Sequence, residues 1–333
     1  MHQAQRPLVS GLFLRDIIMQ TVRTGVIGVG YLGQFHTQKY AQLASSHLVG
    51  IYDLDQTRAM DIANQYKTTA FTELNALIDT VDAVSIATST PYHYKIAHQC
   101  LRQGVHVLIE KPITTTLAEA DELIALAKKN NCIIQVGHLE RFNNAIISLN
   151  QYLTTPRFID SARLSTFKMR GSDVSVILDL MIHDIDIIQS LVQSDITSVA
   201  ASGASVLTSH IDICNARVEF ANGCIANVTA SRISLTNERR LALFQPDAYF
   251  DLDLAKKHLS IHQKGNNPEH PSIERDKRRF AQGDPLKTQI EAFLDSVITG
   301  TPPWVCGQAG RDALAIAHRI TDAVNAHNDT FPF

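Results

Sequence analysis

The sequence lacks any C-x-x-C pair, any long apolar run and any marked excess of one charge. Its five cysteines (Cys100, Cys132, Cys214, Cys224, Cys306) are scattered and odd in number. That spacing argues against a disulfide framework or a zinc site and for reduced, buried thiols. No stretch approaches the roughly 20 apolar residues that cross a bilayer, so no membrane partner is expected. A formal charge of −3 and a pI near 6.5 provide no basic field for nucleic acid. An anionic ligand must therefore be held by local donors. The apolar patch from Leu8 to Leu14 is too short for a signal peptide and lacks a small-residue cleavage site. Residues 1–19 read as an extension ahead of the first strand, and the chain as cytoplasmic.

What is present is an ordinary globular balance, 45% apolar and 19% charged, in 333 residues, a length that suits two domains. From Val22 onward, β-branched runs alternate with amphipathic stretches. Val26 to Gly28, Leu48 to Tyr52, Ala83 to Ala87, Val105 to Ile109 and Ile133 to Val136 read as strands. Helical patterns separate them at Tyr31 to Leu43, Gln56 to Tyr66, Tyr94 to Arg102 and Leu117 to Lys128. The strands are too continuously apolar for a half-exposed sheet, so the alternation predicts a parallel sheet covered on both faces.

After about Asn150 the pattern changes. A helix from Leu178 to Val192 precedes strands at Cys214 to Phe220, Cys224 to Ala230, Leu241 to Phe244, Tyr249 to Leu254 and His258 to His262. The first two are joined around Asn222-Gly223, where both residues tolerate positive φ and suit a tight hairpin. A second, mostly antiparallel open sheet follows. The run from Arg275 to Arg279 reads as a solvated loop, and Leu286 to Ile298 and Gln308 to Asn325 as closing helices.

Gly28-x-Gly30-x-x-Gly33 sits between the first strand and the first helix, with Tyr31 and Leu32 inside it. Glycines there permit a tight turn and let a pyrophosphate approach the helix N-terminus. Twenty residues beyond Gly33, Asp53 ends the second strand, where a carboxylate accepts hydrogen bonds from the adenosine ribose. Its charge favours NAD over NADP, although Arg58 stands one helical turn on. Further along, Glu110-Lys111-Pro112 closes a strand at the ligand-binding edge of the sheet. Asp179, His183 and Asp186 are spaced to share one face of a helix among apolar neighbours, an arrangement that needs a reason. A capping aspartate with a core histidine is one reason and catalysis another. A metal site is not expected, because no further ligand cluster completes one.

The glycine loop, the E-K-P strand end, the run Val136-Gly137-His138-Leu139-Glu140-Arg141-Phe142-Asn143 and the D-x-x-x-H-x-x-D helix occur together and in order. In that combination, over residues 21–330, the chain resembles the glucose-fructose oxidoreductase/inositol dehydrogenase/MocA (Gfo/Idh/MocA) family. Many members have glycines where Ser175-Val176-Ile177 and Met181 stand here. This bulkier variant resembles the branch of UDP-N-acetylglucosamine 3-dehydrogenases that serve lipid A biosynthesis. So do Ala230-Ser231-Arg232-Ile233-Ser234 and Phe244-Gln245-Pro246-Asp247-Ala248-Tyr249.

The resemblance implies an α/β chain with NAD as cofactor. Its expected parts are a doubly wound Rossmann domain over 20–140, a substrate and oligomerisation domain over 141–305, and a helix over 306–333 packing back on the first. Thr88, Ser89, His93 and Glu110 would lie beside the cofactor, with a cis Lys111-Pro112 bond. Lys111, Asp179 and His183 match the catalytic positions, with His183 as general base and Lys111 stabilising charge on the same oxygen. Lys111 as the base stays open. A sugar-nucleotide diphosphate needs cations, for which Lys168, Arg170 and above all Arg232 are candidates, with His138 and Arg141 lining the cleft. Expected partners are the nucleotide sugar, an aminotransferase next in the pathway, and further copies of the chain as a dimer or tetramer. The competing readings are a dehydrogenase of a free sugar, inositol or sugar acid, and a dinucleotide-binding regulator without turnover.

Overall fold

The computed structural model describes residues 21–169, 171–265, 272–281 and 283–331. The expectations for residues 1–19 and for Arg170 lie outside them. The first sheet is built from β1 (Val22–Ile27), β2 (Ser46–Tyr52), β3 (Thr69–Phe71), β4 (Ala83–Ile86), β5 (His106–Ile109) and β6 (Ile134–Val136). Between them run α1 (Gly33–Gln42), α2 (Gln56–Tyr66), α3 (Leu74–Ile78), α4 (His93–Arg102) and α5 (Leu117–Lys129). All its pairings are parallel, in the order β3-β2-β1-β4-β5-β6. The order reverses direction beside β1, which opens a crevice at the carboxyl ends of β1 and β4. All four β4 residues are buried, as helices on both faces require.

The second sheet follows α6 (Asn144–Leu149). It contains β7 (Phe158–Leu164), β8 (Ile196–Ala204), β9 (Ile213–Phe220), β10 (Ile225–Ser231), β11 (Glu238–Gln245), β12 (Ala248–Asp253), β13 (His258–Lys264) and β14 (Ile273–Arg279). Its order is β14-β13-β12-β11-β7-β10-β9-β8, antiparallel except where β7 meets β10. The helix α7 (Ile182–Val192) covers one face, and α8 (Pro285–Thr299) and α9 (Gly307–Thr330) close the chain. Ile182, Ile185 and Ile188 of α7 share a core with Ala216, Val218 and Val228 of the sheet.

Four expectations need correction. The Arg275–Arg279 run is not a loop but most of β14, an exposed edge strand whose charges keep the sheet from pairing further. At the β9–β10 hairpin only Gly223 has positive φ, +81°. The Gly223 amide bonds to Phe220 O and the Phe220 amide to Cys224 O, so the connection is a three-residue loop with a glycine bulge rather than a two-residue turn. The helix carrying Asp179 begins with a π turn at Ile177–Met181, in which the Ile182 amide reaches back to Ile177 O. Finally, α8 packs on the first domain: Ile290, Phe293 and Leu294 share a core with Val22, Val26 and Tyr40, and Lys39 pairs with Asp284 at 2.7 Å. α9 joins both cores, with Leu314 in the first domain's and Ile316, Ala317, Ile320 and Val324 in the second's.

Candidate active site

At the β1 end, Gly28 has φ +83° and a Cβ there would lie 2.7 Å from Thr88 Cγ2. A Cβ on Gly33 would run into the Gly28 carbonyl, so helix and strand close only on glycine. The N-terminus of α1 carries no side-chain cap and no acidic first-turn residue, which leaves its positive end for an anion. Beside it lies a cavity of about 390 Å³ lined by Gly28, Gly30, Asp53, Arg58, Thr88 and Ser89, among others. Asp53 accepts the Val29 amide at 2.7 Å and the Asp55 amide at 2.9 Å, which fixes its carboxylate at the cavity wall. Each of its oxygens keeps a further lone pair for a ribose hydroxyl. Arg58 binds Asp55 at 2.9 Å and lies 3.6 Å from Asp53, so two carboxylates already neutralise it. These groups fit the adenosine half of NAD. Tyr31 and Leu32 lie at the glycine loop with exposed side chains.

Two of the expected cofactor contacts act as braces. His93 is buried, with Nδ1 2.9 Å from Pro112 O and Nε2 3.0 Å from Thr88 O, so it ties the β4 and β5 loops together instead of facing the cavity. Glu110 bonds to His36 Nε2 at 3.0 Å, and His36 Nδ1 meets Ser85 Oγ at 2.9 Å. Burial alone would raise the Glu110 carboxyl, but the bond and charge of His36 outweigh it and hold the group below its ordinary pKa. Gly137 makes room for this carboxylate, since a Cβ there would lie 2.8 Å from it. His36 escaped sequence reasoning; its position one turn beyond Gly33, on the face of α1 toward the sheet, was the available signal.

The Lys111-Pro112 bond is cis. Lys111 Nζ donates to Asp179 O at 2.7 Å and to Asp179 Oδ1 at 3.2 Å. The π turn therefore presents both a carbonyl and a carboxylate to the lysine. His183 follows in α7, and its Nδ1 is buried with no hydrogen-bond partner among the described residues. Burial first, then the charge of Lys111, push its pKa well below the usual value, so the ring is neutral near pH 7. Lys111, Asp179 and His183 thus belong to one site. Asp186 does not join them: it is buried one turn further along α7, with Arg141 at 3.4 Å. The π turn shifts Asp179 relative to the expected stripe.

Arg163 is buried beneath this site, bound by Asp184 at 2.7 Å and by Glu140 at 3.0 Å. Arg239 shares Glu140 at 3.2 Å. Arg239 is paired with Arg163 across β11 and β7, which puts both on the same face of the sheet. Its side chain is 54% exposed and its charge acts on His183. Sequence reasoning missed it. The favoured candidate Arg232 is instead buried, with its guanidinium bonded to Gly171 O and Val174 O and 3.8 Å from Asp212. Those donors are spent on the loop that touches Asp179, so Arg232 is corrected from a diphosphate ligand to a clamp. Lys168 is exposed on the loop after β7. Among the described residues no metal-ligand cluster occurs.

Known proteins resemble this chain over nearly its whole length. Residues 22–138 match the model of the oxidoreductase family with an NAD-binding Rossmann fold, and residues 146–247 match the GFO/IDH/MocA C-terminal domain. A UDP-N-acetylglucosamine 3-dehydrogenase from Acidithiobacillus ferrooxidans is 39% identical over 92% of this chain and 98% of its own. A solved structure of that enzyme superposes with a TM-score of 0.87, at 38% identity over 92% of this chain and 98% of the other. A myo-inositol 2-dehydrogenase from Thermotoga maritima is 24% identical over 89% of this chain and 94% of the relative. Levoglucosan dehydrogenase in complex with NADH and levoglucosan shares the fold, with a TM-score of 0.82 at 17% identity over 92% of this chain and 98% of that one.

Proposed function

The chain belongs to the Gfo/Idh/MocA family of NAD-dependent oxidoreductases, and from that premise we infer that it oxidises the 3-hydroxyl of UDP-N-acetylglucosamine to a ketone. The observation that carries the choice of substrate is the 39% identity to a UDP-N-acetylglucosamine 3-dehydrogenase over 92% of the chain. NAD, when bound, supplies the chemistry by taking the hydride from C3. The residues of the chain manage the proton and the charge. His183, neutral near pH 7, receives the hydroxyl proton. Lys111, steadied by Asp179, donates to the same oxygen as negative charge develops. Arg239 is our candidate for the sugar-nucleotide diphosphate, because its guanidinium is the half-exposed member of the Glu140 network. His138 and Arg141 act behind the site rather than on the sugar.

In this reading the 3-keto product passes to an aminotransferase on the way to lipid A, in the cytoplasm. No described helix is long and apolar enough to cross a membrane. The open face of the second sheet is the proposed contact between copies of the chain.

A test measures NADH formation from NAD with UDP-N-acetylglucosamine, free N-acetylglucosamine and myo-inositol, the ketone being trapped to draw the equilibrium. Turnover of the nucleotide sugar alone is expected, with Lys111→Ala lowering kcat about 100-fold or more. Turnover of myo-inositol alone would overturn the substrate and leave the dehydrogenase.

A further inference from the structure

Four buried polar atoms behind the catalytic residues have no hydrogen-bond partner among the described residues: His183 Nδ1, His138 Nδ1 and Nε2, and Asp186 Oδ2. Such atoms are met by ordered water in folded proteins, because a buried polar group without a partner loses the hydrogen bonds that it made to solvent. Here they form a sequence in space. The His138 ring stands perpendicular to that of His183, with centroids 6.4 Å apart. Asp186 is the anion that acts most strongly on His138, and Arg141 lies 3.4 Å from Asp186. Asp186 and Arg141 in turn line a second cavity of about 430 Å³, with Gln189, Ser190 and Gln193, toward the far end of α7.

We propose that His138 and Asp186 carry the proton released by each oxidation from His183 to solvent through this second cavity. The inference rests on His183 being the general base. Oxidation of an alcohol by NAD yields ketone, NADH and one proton, and the substrate and cofactor fill the side of His183 from which that proton came. The hydroxyl proton adds to Nε2, the nitrogen that is not enclosed. The Nδ1 proton leaves on the inner side, by water to His138 and on to Asp186, whose Oδ2 has no partner among the described residues. It exits beside Arg141. When the cleft empties, Nε2 gives its proton to the open cleft and Nδ1 takes one back along the same path, so the relay unloads His183 while substrate and cofactor close the cleft. Lys111, Arg141 and Glu110 also face His138, and the two cations disfavour a lasting charge there, so the proton passes through rather than resting.

The test compares wild type, His138→Gln and Asp186→Asn, which keep volume and hydrogen bonding but do not transfer protons. On the protein alone, ring ¹⁵N NMR follows exchange of the His183 Nδ1 proton with water. Exchange slowed about tenfold or more in both variants is expected, and an unchanged rate overturns the relay. In NADH formation from UDP-N-acetylglucosamine, kcat should fall about tenfold or more with KM held, and imidazole at constant pH should restore it. A loss of kcat that imidazole does not restore overturns the relay as well. His183→Gln separates the two claims: retained turnover there removes the base and the relay together. Lost turnover there, with His138→Gln at wild-type rate, removes only the relay.

Discussion

At the residue scale the site depends on side chains whose surroundings fix their charge. His93, His138 and His183 are each pushed below the ordinary histidine pKa, by burial first. The native state therefore binds fewer protons than the unfolded chain once pH falls below about 6.5, the unfolded value. Stability should drop on acidification there, by about 1.4 kcal/mol per pH unit for each such histidine until its folded pKa is reached. Urea unfolding between pH 7 and 5 measures this, and His138→Gln should flatten the slope. Arg163 is the reverse case, a buried cation held charged by Asp184 and Glu140. Arg163→Met strands the buried Asp184 and leaves Glu140 with Arg239 alone, and should cost about 3–5 kcal/mol, read from the same unfolding curves. Arg239→Ala should raise KM for a nucleotide sugar about tenfold to 100-fold, the loss of one charge-assisted contact, while NAD affinity stays unchanged. Lys111 was legible because it closes a strand in a recognisable motif. Arg239 was not, because nothing local distinguishes an arginine that pairs with Glu140, far away in the chain, from one that faces solvent alone.

At the scale of elements, most strands and helices of the first domain were legible because burial on both faces leaves continuous apolar runs. β3 and α3 were missed, being only three and five residues long. β14 was missed because an edge strand exposed to water carries no alternation of burial. The π turn under Asp179 had no sequence signal, since the residues of Ile177–Met181 suit an α-helix equally well. What holds that turn lies in contacts far apart in the chain, Lys111 from the first domain and the loop at Gly171 clamped by Arg232. Asp212 completes the support. Its carboxylate takes the amides of Val206, Leu207 and Thr208, and although burial opposes ionisation these bonds hold it at a pKa of about 2. Arg232→Gln should loosen the loop and lower kcat/KM for the sugar, with NAD affinity kept, as steady-state kinetics would record.

At the scale of the whole molecule, two cores meet over α9, and the groups proposed to react come from both domains. The cofactor crevice belongs to the first sheet and Asp179 and His183 to the second domain, so the site exists only when the domains are docked. The face of the second sheet away from α7 carries a ladder of Phe158, Phe244, Tyr249 and His262, one from each of four neighbouring strands. Sedimentation should give a multiple of the 36.8 kDa chain mass, and Phe244→Glu should lower it. The proposed oxidation at C3 of UDP-N-acetylglucosamine is tested most directly with that sugar deuterated at C3. Enzyme in excess, NAD and the labelled sugar are mixed for a single turnover, and the NADH is examined by mass. One deuterium in the NADH and a slower transfer than from unlabelled sugar are the predicted result. NADH formed without deuterium, or none formed while deuterated myo-inositol transfers its label, would contradict it.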